Sequence, residues 1–163
     1  MAKMNTTQGY VDPIEVYKPL LSEIFVKVHN AKTKPQKVKI LQENDSPALR
    51  SVCKWSFDPE IESDLPEGAP PYIPNEAPEG TEHTRISSEY GMFFNFIKGA
   101  NGKLQSSKKE NMFVRLLEGL HKDEAKLLII IKDKQLHKVY KGLSEPVVKE
   151  AFGWDDGFNK LDV

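Results

Sequence analysis

The sequence is poor in the features that mark secreted, membrane-bound or metal-dependent proteins. It holds one cysteine, Cys53, so no disulfide can form within the chain and a reducing compartment suits it. Its longest apolar run, residues 127–131, is five residues between two lysines, far short of the roughly 18–20 that a membrane span needs. The opening stretch, Met1 to Tyr10, lacks an apolar centre and does not read as a secretory signal. Neither sign of charge dominates: 23 Lys and Arg against 24 Asp and Glu leave a net charge of −1. A chain that binds polyanions over its whole surface is usually strongly basic, so composition disfavours that class. The four histidines, at 29, 83, 121 and 137, show no i, i+4 pairing, and one cysteine cannot build a zinc knuckle.

Signatures of nucleotide binding and nucleophilic catalysis are missing too. Neither phosphate-cradling glycine pattern occurs, and Gly99-Ala100-Asn101-Gly102-Lys103 lacks the preceding strand and following Ser/Thr that would make it more than a loop. Cys53 falls within the apolar pattern of a predicted helix, where a thiol is a core residue rather than a nucleophile. His121 reads as a helix-junction residue. Glu60, Glu62 and Asp64 alternate as a metal cluster would, but acidic linkers show the same pattern. The residues therefore predict a non-enzyme with no cofactor and no metal.

What is present is helix punctuation. Asp12-Pro13-Ile14-Glu15 has the form of a helix start, with an N-cap, a first-turn proline and a capping-box glutamate. An interior Pro19 would break such a helix, which points to the alternative start near Lys18-Pro19. Beyond it, Leu20, Leu21, Ile24, Phe25 and Val28 recur at helical spacing. Thr33, with Pro35 and Gln36, opens a second helix that stops near Asn44-Asp45. Ser46-Pro47 opens a third, carrying Leu49, Val52, Cys53 and Phe57.

Residues 58–83 differ in kind. They hold six of the eleven prolines and eight acidic residues with no Lys or Arg, a local net charge of −8 against +7 for the rest of the chain. The prolines forbid a helix or a central strand. Composition alone describes a solvated linker. Leu65, Tyr72 and Ile73 are spaced along it as anchors, however. They favour an extended, polyproline-like strap whose carboxylates face the lysines of the C-terminal half. These three residues are the candidate partner-binding positions.

The C-terminal half reads as helical again. Met92, Phe93, Phe96 and Ile97 form an aromatic stripe. Ser107-Lys108-Lys109-Glu110 forms a capping box ahead of Met112, Phe113, Leu116, Leu117 and Leu120. The 127–131 run could be a buried strand, but its charged flanks favour a short buried helix. Leu116, Leu117, Leu128, Ile129 and Val148 are expected in the core. Ser144 and Pro146 open a last helix that Gly153 ends. Residues 98–141 carry eleven basic and five acidic residues. Within them Lys132, Lys134, Lys138 and Lys141, with Tyr140 beside them, are the candidate nucleic-acid contacts in the alternative reading.

Four stretches, residues 37–50 (KVKILQENDSPALR), 65–80 (LPEGAPPYIPNEAPEG), 116–134 (LLEGLHKDEAKLLIIIKDK) and 140–152 (YKGLSEPVVKEAF), together resemble a family of small proteins of T4-like tailed bacteriophages. That family has no assigned activity. The resemblance covers most of residues 20–152. It implies a viral origin, with the host bacterial cytoplasm or the virion as the setting, and it brings no catalytic residues. The expectation is one all-α domain, a short-helix bundle with N-terminal helices in 12–57, the acidic proline-rich strap in 58–83, C-terminal helices in 84–153 and a tail in 154–163. Its expected role is to bind a phage or host protein, as an assembly component or an adaptor on a phage or host machine. A nucleic-acid-binding accessory factor is the alternative, and no membrane association is expected.

Overall fold

The computed structural model describes residues 18–78 and 83–159 as a helical protein. In chain order the α-helices are α1 (Leu21–Asn30), α2 (Lys34–Glu43), α3 (Pro47–Phe57), α4 (Ile86–Glu89), α5 (Ser106–Gly119), α6 (Lys122–Lys132), α7 (Leu136–Val139) and α8 (Glu145–Phe152). A 3-10 segment, Tyr90–Phe96, continues α4. An isolated antiparallel bridge joins Ser63 to Ile97. The Asp12 helix start lies outside the described residues.

Four of the eight described α-helices start on a side-chain cap. Thr33, Ser46 and Ser144 each accept a hydrogen bond from an amide in the first turn, and a proline follows in each case. The His121 ring Nδ1 accepts from the Asp123 amide at 3.1 Å and so caps α6. Gly153, with φ of +66°, ends α8 in the left-handed conformation that costs glycine little.

Helix α6 lies at the centre and packs on α1, α3, α5 and α7. The 127–131 run is helical, and Leu127, Leu128 and Ile131 are fully enclosed, while Ile129 and Ile130 are half-buried at its edge. Ile129 was expected in the core; it falls on the flank because a 3.6-residue turn rotates it away from Leu128 and Ile131. Leu116, Leu117 and Val148 are buried. Glu124, itself buried, accepts the Leu21 amide on one carboxyl oxygen and the Ile86 amide on the other, both at 3.0 Å. It thereby ties the starts of α1 and α4 to α6. Gly142 passes so close to the end of α1 that a Cβ there would stand 2.5 Å from the Val28 carbonyl oxygen, which explains the glycine.

Three local expectations are corrected. Helix α5 begins at Ser106, after Gln105, which makes no side-chain cap; the Ser107 capping box is not used, because the helix already includes that serine. The aromatic stripe is not an α-helix but the 3-10 segment. At three residues per turn, Phe93 and Phe96 eclipse on the inner side while Phe94 is 52% exposed. Trp55 packs on both buried rings, and Phe96 meets Phe113 edge-on. Finally, the start of the 154–163 tail belongs to the core. Trp154 and Phe158 are buried against Phe152 and each other, and the Asp155 carboxylate accepts the Gly157 and Asn159 amides to close the turn between them.

Candidate functional site

The acidic segment offers the least conventional surface of the molecule. Over residues 58–78 it has no regular secondary structure, as its prolines require, and its polar groups bond to the helices. The Trp55 indole donates to Ser63 Oγ at 2.8 Å, and that hydroxyl donates onward to the Lys132 carbonyl at 2.6 Å. The Asp64 amide donates to the Phe96 carbonyl, and the Lys98 amide donates to the Glu62 carbonyl. Farther along, the Gly68 amide reaches an Asp133 carboxylate oxygen at 3.0 Å, and the Ile73 amide reaches Glu118 at 2.8 Å.

Three lysines, two of them buried, complete this framework. Lys109 is 4% exposed and pairs with the Asp64 carboxylate at 2.5 Å. Lys132 is 3% exposed; its ammonium donates to the Pro66 carbonyl at 2.8 Å and pairs with Asp133 at 2.5 Å. Lys134 donates to the carbonyls of Trp55 and Asp58, each at 2.7 Å, and so serves the carbonyl end of α3. Burial pushes the Lys134 ammonium below its usual pKa, opposed by the nearby Asp58 and Glu62 charges. A buried ammonium is costly unless hydrogen-bonded, and these carbonyls and carboxylates supply those bonds.

The candidate partner-binding residues fare differently from one another. Leu65 and Tyr72 are partly buried and packed against the core, and burial raises the Tyr72 phenol pKa. Ile73 is not an anchor: its side chain is 77% exposed although its amide is held by Glu118. These adjacent side chains diverge: Tyr72 packs inward and Ile73 faces out. The carboxylates of the segment are likewise divided. Asp64 meets Lys109 and Glu62 stands 3.8 Å from Lys98 at the surface, whereas Glu60, Glu67 and Glu76 are exposed.

The five residues proposed for nucleic acid do not form one basic face. Lys132 and Lys134 spend their ammonium groups on internal carbonyls and carboxylates, because the end of α6 abuts the acidic segment and α3. Tyr140 is half-buried on Phe25 and beside His29, and burial raises its pKa, with the Asp123 charge adding to the effect. Only Lys138 and Lys141 of the five are exposed. Sequence periodicity could not find the inward lysines, since their partners lie as many as 79 positions away.

Where the chain passes α5 and α6 it forms a cavity of about 260 Å³ that opens to solvent. Leu65, Pro66, Pro70 and Pro71 form its arch and Phe113 faces them, while Lys132, Glu67 and Glu110 also line it. Gly68, at φ of +89°, makes the turn of the arch. The Cys53 thiol lies elsewhere, fully buried in α3, and burial pushes its pKa far up. Among the described residues no group of three or more His, Cys, Asp or Glu could hold a metal ion, and no helix is long and apolar enough to cross a membrane.

No curated protein and no solved structure matches the chain. A family pattern does, over residues 24–138, from within α1 to within α7 and through the whole acidic segment. That match spans well over half of the 163 residues, and by it the chain belongs to DUF6433, a family of unknown function.

Proposed function

We propose that this chain is a non-catalytic binding protein of a tailed bacteriophage that docks a partner protein, of the phage or of its host, through the 58–78 segment. The viral assignment rests on the resemblance of the four sequence stretches to proteins of T4-like phages. The observation that carries the binding reading is Ile73: a large apolar side chain 77% exposed on backbone that is hydrogen-bonded to Glu118 and flanked by half-buried Tyr72. Pro70, Pro71 and Pro74 restrict that backbone further. A side chain presented on pre-ordered chain costs little further entropy when a partner covers it, so its apolar area adds efficiently to affinity.

A photo-crosslinking residue placed at position 73 tests this in bacteria infected by a phage that encodes the chain. One discrete protein adduct is expected from position 73 and none from an exposed control such as Lys39. No adduct, or the same adducts from both positions, overturns the reading. Capture of DNA or RNA instead, with affinity falling steeply as salt rises, favours the nucleic-acid role.

A further inference from the structure

We infer that the cavity under the proline arch is a receptor for one arginine side chain of the partner protein. The inference rests on the docking role of the 58–78 segment and names the chemistry that this surface takes. The cavity, about 260 Å³, is bounded by Leu65, Pro66, Pro70 and Pro71 of the arch and by Phe113 of α5. An engineered cavity of about 150 Å³ already admits benzene, so one long side chain fits here, whereas drug-sized ligands generally occupy about 300 Å³ or more.

Charge selects among such side chains. Lys132 also lines the cavity, but Asp133 pairs with its ammonium at 2.5 Å and the Pro66 carbonyl accepts a further hydrogen bond from it. Glu67 and Glu110 line the cavity as well, both exposed, and among the described residues neither carboxylate has a hydrogen-bond or ion-pair partner. The site therefore keeps two uncompensated negative charges beside apolar walls. A neutral apolar group would satisfy the walls and leave the carboxylates unused; an anion would be repelled. Arginine satisfies both features. Its methylene stem covers apolar surface such as the Pro70 and Pro71 rings, and its planar guanidinium bonds carboxylates in a fork that lysine cannot reproduce. Glu60 and Glu76, exposed on the same segment, extend the attraction to a basic partner segment.

The test uses the full-length protein, isotopically labelled, with Nα-acetyl-arginine amide and Nα-acetyl-norleucine amide as probes in NMR titrations. The arginine probe should give saturable shifts confined to amides of residues 65–71 and 110–113. It should bind about fivefold or more tightly than norleucine, the size expected of two partly exposed charge pairs. The Glu67→Gln/Glu110→Gln double variant, whose changes are at the surface, should fold normally and abolish that preference. Shifts that never saturate, equal affinity for norleucine, or a preference unchanged in the double variant would each overturn the inference. Crosslinking at position 73 reports separately: an adduct there with no arginine preference here leaves the docking role standing and removes only the arginine receptor.

Discussion

Glu124 and Leu21 are 103 residues apart, yet the Glu124 carboxyl accepts the Leu21 amide at 3.0 Å and so fixes where the first described helix begins. Helix α1 has no Ser, Thr, Asp or Asn cap; Leu20 stands in that position, and Glu23 reaches back to the Leu20 amide at 2.7 Å. The second oxygen of Glu124 does the same work for Ile86. Replacing Glu124 by Ala leaves two buried amides without acceptors and opens a void. The expected loss is about 3–5 kcal/mol, with Glu124→Gln intermediate because the amide keeps only one acceptor oxygen. Chemical denaturation of the two variants checks the order.

Lys134 combines a left-handed backbone, φ of +57°, with two hydrogen bonds to the carbonyls around the end of α3. Both Lys134→Ala and Lys134→Gly lose those bonds, but glycine sheds the left-handed strain as well. The glycine variant should therefore be more stable than the alanine variant by about 1 kcal/mol. Lys138→Ala, at an exposed position, should stay within about 0.5 kcal/mol of the parent protein. Thermal melts of the three variants decide it.

Cys53 provides a pH test. Its thiol pKa is raised by full burial, while the unfolded thiol titrates near the ordinary value of 9.0. The native state therefore holds its proton at pH values where the unfolded state releases it. Stability from this group is complete below pH 9 and declines as pH rises above it. The parent protein should lose stability faster than Cys53→Ala between pH 9 and about pH 10.5, read by denaturant titration at each pH. A thiol reagent should label native Cys53 slowly and the denatured chain fast.

Tyr72 and Ile73 should part company under protease. Tyr72 is packed against the core and Ile73 is 77% exposed. Tyr72→Ala should make the 67–76 stretch labile to a protease that cuts at acidic residues. Ile73→Ala should leave its cleavage rate unchanged. Trypsin is unsuitable, because residues 58–83 contain no Lys or Arg.

Several features of the fold were legible without coordinates because they are local. Thr33, Ser46 and Ser144, each followed by proline, mark helix starts through bonds made within three residues. The spacing of Leu49, Val52 and Cys53 states which side of α3 is buried. Six prolines in residues 58–83 exclude helix by covalent geometry. Tertiary structure alone decided the rest. A lysine reads the same in sequence whether it meets water or a carbonyl, so Lys132 and Lys134 looked like a basic surface until α3 and the acidic segment came against them. The inward turn of Trp154 and Phe158, the outward turn of Ile73 and the cavity under Pro70 and Pro71 likewise depend on neighbours distant in the chain. Caps and prolines act over a few bonds, where the sequence itself specifies the partner. Burial of charge and the shape of a cavity are set by residues that only the folded packing brings together.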